Sequence, residues 1–230
     1  MKTQTIVLGF VAILVCSSLM MSGCMQQNNS SNQPPSNETL QQILNKAETI
    51  KSVYYEIYSS TTMNGTMKNI SIPNTTVKIW QKAPYLKEVT IIGNSTTNMT
   101  VVKRPDGTYQ FDPVEHKYKL LVIPITPQPF TGDIAKDLLD NQTLKIFGNE
   151  TIDGKTAIVI QYSSNRSGNF GENLSNFSIT QTMKMWIWKE HGVPLKTILT
   201  MTKGGIMTTI DSQYKNYSFS DIPDGTFNVS

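Results

Sequence analysis

The chain has 230 residues and a formal net charge of +3, with 20 Lys and Arg against 17 Asp and Glu, and only two cysteines. That balance leaves no basic stripe for nucleic acid, and two cysteines make no disulfide framework and no cysteine-rich metal site. Cys16 lies inside the N-terminal apolar run, so a processed chain keeps Cys24 alone.

Taken in order, Lys2 precedes a mostly apolar run from Thr5 to Ser22, which is the layout of an export signal. The run ends Met21-Ser22-Gly23-Cys24, and this ending resembles the lipobox of bacterial and archaeal lipoproteins, with Met21 where Leu is commoner. The resemblance implies cleavage after residue 23 and a lipid on Cys24 that holds the chain to the extracytoplasmic face of a membrane. The alternative is an uncleaved helix with an incidental Cys24, which also leaves the bulk of the chain outside. Residues 24–36 contain Gln, Asn, Ser and two prolines. They bury nothing that would offset the entropy of ordering, so they read as a flexible stalk. The folded domain is then expected over residues 37–230.

That domain opens with a helix capped by Ser36 or Asn37, with Leu40, Ile43, Leu44 and Ala47 at helical spacing. Strands follow at 53–58, 77–80 and 85–92, marked by β-branched and aromatic residues. The sequons at Asn64, Asn69 and Asn74 are expected in one hairpin tip. Arg104-Pro105-Asp106-Gly107 is a strong turn signal, and short strands are read at 109–111 and 117–122. Three prolines between Ile123 and Pro129 remove ladder donors. After them a second helix is predicted near 131–144, with Ile134, Leu138 and Leu139 on its apolar face. The remainder is β again: a turn at 152–155, a strand at 156–162, a long exposed loop over 163–178, and strands at 183–188, 195–201, 206–210 and 214–219. The expected fold class is mainly β (α+β).

Asparagine usage is the second compositional signal. Of eighteen Asn, fifteen begin an Asn-x-Ser/Thr triplet. Ser and Thr are about a fifth of the chain, so chance gives about three or four, and the excess points to glycan acceptors on an exported surface. The candidates are Asn64, Asn69, Asn74, Asn94, Asn98, Asn165, Asn173, Asn176 and Asn216. Lipobox, sequons and the lack of disulfides together point to an archaeal cell-surface lipoprotein.

Several segments, in one order, resemble the LolA/LolB/LppX superfamily of lipoprotein carriers and lipid-binding lipoproteins. They are Lys82-Ala83-Pro84-Tyr85-Leu86-Lys87, Pro105 to Pro113, Ile152-Asp153-Gly154-Lys155, Met185 to Lys196, and Asp221 to Phe227. The resemblance implies a curved antiparallel sheet, an unclosed barrel, wrapped over the N-terminal helix and an inserted, lid-like helix. Between sheet and helices it implies an apolar cavity for a lipid or acyl chain. The candidates to line that cavity are Trp80, Tyr85, Ile134, Leu138, Leu139, Met183, Met185, Trp186 and Trp188, with Met201 and Met207 as further adaptable apolar contacts. The competing reading is that helices fill the concave side as ordinary core.

Little in the sequence supports catalysis. His116 and His191 sit in predicted, solvated turns; no nucleophile elbow or phosphate loop is present. Asp133, Asp137 and Asp140 read as a solvated helix face. A non-enzymatic binding module without cofactor or metal is therefore expected, partnered by the membrane through Cys24 and by a hydrophobic ligand. The second reading is a sensor or structural surface glycoprotein that contacts a membrane-protein partner.

Overall fold

A computed structural model describes residues 38–65, 70–95, 98–121, 143–168 and 177–229. The N-terminal run with Cys24, the stalk, the sequons Asn69, Asn173 and Asn176, and the predicted second helix with Ile134, Leu138 and Leu139 lie outside these residues.

The described chain is one helix and one sheet. Helix α1 spans Leu40–Glu48. Eleven strands follow: β1 Ser52–Asn64, β2 Ile70–Lys82, β3 Tyr85–Ile92, β4 Met99–Arg104, β5 Gly107–Asp112, β6 Lys117–Leu120, β7 Lys145–Ile152, β8 Lys155–Gly168, β9 Phe177–Trp188, β10 Pro194–Lys203 and β11 Ile206–Ser218. All pair antiparallel in the order β6-β5-β4-β3-β2-β1-β11-β10-β9-β8-β7. The one long-range closure is β1 against β11, so the meander's first and last strands meet at the centre. Strands β6 and β7 are the edges, and the sheet does not close into a barrel.

Helix α1 follows its predicted pattern: Leu40, Ile43, Leu44 and Ala47 are its buried residues. Its cap differs from the expected one. Thr39 caps it, because Gln42 at the third helical position completes a capping box: the Thr39 amide donates to Gln42 Oε1 at 2.8 Å and the Gln42 amide to Thr39 Oγ1 at 3.2 Å. Three residues after Ser36 and Asn37 the sequence has Thr39 and Leu40, neither of them the Glu or Gln of a capping box. The helix lies on Ile158, Ile160, Met185 and Ile187 of β8 and β9. Its C-terminal half is held by the β9–β10 turn, where Lys46 Nζ donates to the Lys189 carbonyl at 2.6 Å. Gly192 in that turn has φ +71°, and a Cβ there would stand 2.2 Å from the Ile43 carbonyl oxygen. Only glycine admits the helix so close.

The opposite face is covered differently. Residues after β11 run back across β2–β4 and end in a single 3-10 turn, Asp224–Phe227. Ile222 and Phe227 bury themselves with Val102 against Trp80, Tyr85, Tyr118 and Val229. Lys82 pins this tail, donating to the Ile222 carbonyl at 3.0 Å and to Asp224 Oδ1 at 2.8 Å, and the Ile222 amide donates to Ser52 Oγ at 3.1 Å.

Four sequence expectations are corrected here. Strand β7 was not expected; it is an edge strand whose residues are mostly exposed and which contains Gly148, so it shows no apolar alternation. The loop read over 163–178 is shorter, because β8 and β9 stay paired as far as Gly168↔Phe177. Backbone ladder bonds and the cross-strand pair Ser163 Oγ–Thr182 Oγ1 at 3.0 Å carry polar residues into the sheet. Asn74 lies within β2 rather than in the hairpin tip. His191 is only partly solvated: its ring stacks on Phe219 at 4.1 Å and meets the edge of Trp188 at 4.2 Å, because the turn folds back onto the end of β11. His116, by contrast, is exposed in its turn at φ 51°.

Candidate functional site

Alternation along the strands assigns each side chain to the face that bears α1 or to the opposite one. The helix-bearing face carries Val53, Tyr55 and Ile57 of β1, paired with Gln81, Ile79 and Val77 of β2. It continues through Leu86, Glu88 and Thr90 of β3 to Val101 of β4. On the other side of β1 it continues through Tyr214 and Ile210 of β11 and Leu199 of β10 to Met183 and Met185 of β9. Two clusters form on it. One lies under α1; the other, Val53, Tyr55, Ile79 and Leu86 with Ile57, Val77 and Tyr214 packed beside them, lies on β1–β3.

Helix α1 is nine residues long, about 13 Å, so it spans only part of this surface. Where it does pack, little space is left. The cavity bounded by Ala47, Ile50, Val53, Tyr55, Gln81, Val193 and Tyr217 is ≈ 20 Å³, room for about one water.

The opposite face has a different chemistry. Near β7 and β10 it holds a groove of ≈ 410 Å³ lined by Glu150, Ile152, Trp186, Leu195, Lys196, Gln213 and Lys215, among others. Trp186 is buried at its base; its indole N–H donates to Glu150 Oε2 at 2.7 Å, and the ammonium groups of Lys184 and Lys196 lie 4.6 and 5.5 Å from its ring centre. Trp188 carries Lys155 at 4.7 Å. In the middle of the same face Glu56 is buried and accepts hydrogen bonds from the Tyr54 and Tyr58 hydroxyls and from Asn216 Nδ2 at 3.0 Å, with Lys78 Nζ at 3.7 Å. Burial by itself raises its pKa, but those three donors and the Lys78 charge outweigh it and hold the carboxyl below its ordinary value. Tyr54 shifts up through its own burial and the neighbouring carboxylate.

The sequence-named cavity candidates thus divide between faces. Met183 and Met185 lie on the helix-bearing face, where Met185 is buried against α1. Trp80 and Tyr85 lie on the opposite face under the C-terminal tail, with Tyr85 stacked on Phe227 at 5.5 Å. Trp186 and Trp188 lie on the opposite face of β9. Glu56 and Glu88 were not singled out in the sequence. The signal for Glu88 was present: Lys87 and Glu88 are adjacent charges inside a strand, and alternation must put one of them on each face.

All eight described sequon asparagines, Asn64, Asn74, Asn94, Asn98, Asn149, Asn165, Asn216 and Asn228, are exposed. Among the described residues no group of three or more His, Cys, Asp or Glu is arranged to hold a metal ion, and no helix is long and apolar enough to cross a membrane.

No family model matches the chain, and no curated protein matches it in sequence. Its fold is similar to that of several solved structures, three of which follow. LprF from Mycobacterium bovis aligns over 80% of this chain and 94% of its own length, at 14% identity and a TM-score of 0.37. The Mycobacterium tuberculosis lipoprotein LppX aligns over 85% and 100%, at 11% identity and 0.39. A DUF1329 family protein from Desulfovibrio piger aligns over 82% and 94%, at 13% identity and 0.31.

Proposed function

We propose that the protein is a non-enzymatic, membrane-tethered surface module that holds the acyl chain of a lipid against the helix-bearing face of its sheet. The observation that carries this reading is the mismatch between a nine-residue helix and an apolar face that runs from β4 across to β9. Ile57, Val77 and Tyr214 on that face remain only half-buried. Covering apolar surface that is left in contact with water is favourable by about 25 cal/mol per Å², and a flexible hydrocarbon chain laid along the strands is a natural cover. Cys24 would supply the membrane tether, and the exposed sequons would supply a glycan coat.

The ≈ 20 Å³ space between α1 and the sheet favours the second reading, a filled interior in a sensor or structural protein. Native mass spectrometry of protein purified without added lipid separates them. A co-purifying lipid, or saturable uptake of a fluorescent acyl probe after delipidation, is expected for the carrier. A protein that stays at its own mass and takes up no probe leaves only the structural role. For the tether, Cys24→Ala is expected to release the protein into the medium or leave its signal uncut. An intact N-terminus with an unmodified thiol in native material would overturn the lipid anchor.

A further inference from the structure

Glu88 stands in the apolar part of the helix-bearing face, and among the described residues no counter-charge pairs with it. Its cross-strand neighbours there are Ile79 of β2 and Val101 of β4, both buried, and along its own strand Leu86 and Thr90 flank it, also buried. Its hydrogen bond comes from the Thr90 hydroxyl, at 2.9 Å to Oε1. Among the described residues of this face, Lys103 pairs across from Leu86 rather than from Glu88, and Lys119, three strands out, is held by Asp112 and Glu115. Strand β5 between them offers Gln110 and Thr108, which carry no charge. Burial raises the carboxyl's pKa, and the Thr90 bond offsets this only in part. A carboxylate in such a place destabilises the fold unless something else satisfies it.

We propose that Glu88 is a specificity-determining residue of the lipid site, receiving a head group that donates hydrogen bonds, either a hydroxyl or an ammonium. This rests on the acyl-chain reading above and adds to it which end of the ligand is recognised. Apolar neighbours on both adjacent strands would contact the hydrocarbon, and one acceptor among them would fix where the polar end must stop. A mostly apolar site with a single placed polar group is the usual construction for orienting an amphiphile. Glu88 is itself half-buried, and an anionic head would set two negative charges together in a largely apolar surrounding, so Glu88 selects against carboxylates and phosphates.

The test uses the purified full-length chain in non-ionic detergent and native mass spectrometry, with dodecan-1-ol, dodecylamine and dodecanoate titrated one at a time at pH 8. Dodecylamine and dodecan-1-ol are expected to occupy the protein at concentrations lower than dodecanoate by about tenfold or more. Glu88→Gln is expected to bring the three within about threefold of one another, and Glu190→Gln, at an exposed turn, to leave the wild-type order intact. Occupancy by only one of the two donor probes names the head-group class. Preference for dodecanoate, or an order unaffected by Glu88→Gln, overturns the role of Glu88 while leaving the acyl site standing. Failure of all three probes to bind overturns both.

Discussion

The two faces of the sheet each hold a glutamate away from the turns, and the two are treated in opposite ways. Glu56, on the face opposite the helix, is surrounded by donors: two tyrosine hydroxyls, the Asn216 amide and the Lys78 ammonium. Glu88, on the helix-bearing face, has Thr90 and hydrocarbon. The covers differ in the same sense. The tail over β2–β4 is fastened by named polar contacts from Lys82 and Ser52, whereas α1 meets β8 and β9 mainly through aliphatic side chains. One face surrounds its central glutamate with donors of the fold itself and reads as structure. The other is more apolar, α1 packs on only part of it, and among the described residues its carboxylate meets one hydroxyl and no counter-charge, which is the arrangement expected of a surface that takes a ligand.

The largest effect should come from removing the tail's anchor. Phe227 is among the most buried side chains and stacks on Tyr85, so Phe227→Ala is expected to cost about 3–5 kcal/mol in denaturant unfolding. If the tail is purely a structural cover, acyl-probe binding by the fraction that stays folded should be unchanged. Lost probe binding without lost stability would reverse the roles assigned to the two faces.

This division could be read only in part from the sequence. The apolar stripe of α1, the Asp153-Gly154 turn and the sheet's β character were all visible, because capping, turn and β-branched signals are local. The segments Lys82–Lys87 and Asp221–Phe227, far apart in sequence, prove to be packed together through Lys82 and Tyr85. The side on which each aromatic falls was hidden for two reasons. Strands such as Met183–Trp188 are apolar on both faces, so alternation has no contrast to report. Irregular pairing between Tyr54 and Glu56, between Pro194 and Lys196 and between Ile146 and Gly148 then shifts register within strands. Each such step moves the following side chains to the other face, whereas Trp186 and Trp188 part from Met185 by plain alternation within β9, which pairs with β8 without a break there.

A smaller loss is expected from Glu56→Gln. It keeps the shape but replaces the charged acceptor of three hydrogen bonds by a neutral one, at a cost of about 1–3 kcal/mol. The sign with pH follows from a folded pKa below the ordinary value. The stabilisation is fully present above the unfolded value, 4.5, and is lost as pH falls through the folded pKa. The difference between wild type and Glu56→Gln should therefore shrink on acidification. A difference that stays constant down to acid pH would mean that packing, rather than the charge, accounts for the cost.

Glu88→Gln should have the smallest effect and the opposite sign. Its folded pKa is raised above the ordinary 4.5, so the folded state holds its proton to higher pH than the unfolded chain does. Stability then falls as pH rises from the unfolded value to the folded one, and stays reduced above it. Glutamine carries no charge to desolvate and still accepts from Thr90, so at neutral pH the variant is expected to be more stable than wild type by about 1–2 kcal/mol. That gain should fade toward zero below the unfolded pKa. Paired urea titrations of wild type and variant at several pH values measure it directly, and a bound donor ligand should erase the gain by satisfying the wild-type carboxylate. A variant less stable than wild type at neutral pH, in ligand-free protein, would show that Glu88 is already satisfied within the fold, and the contrast between the two faces would fail at its centre.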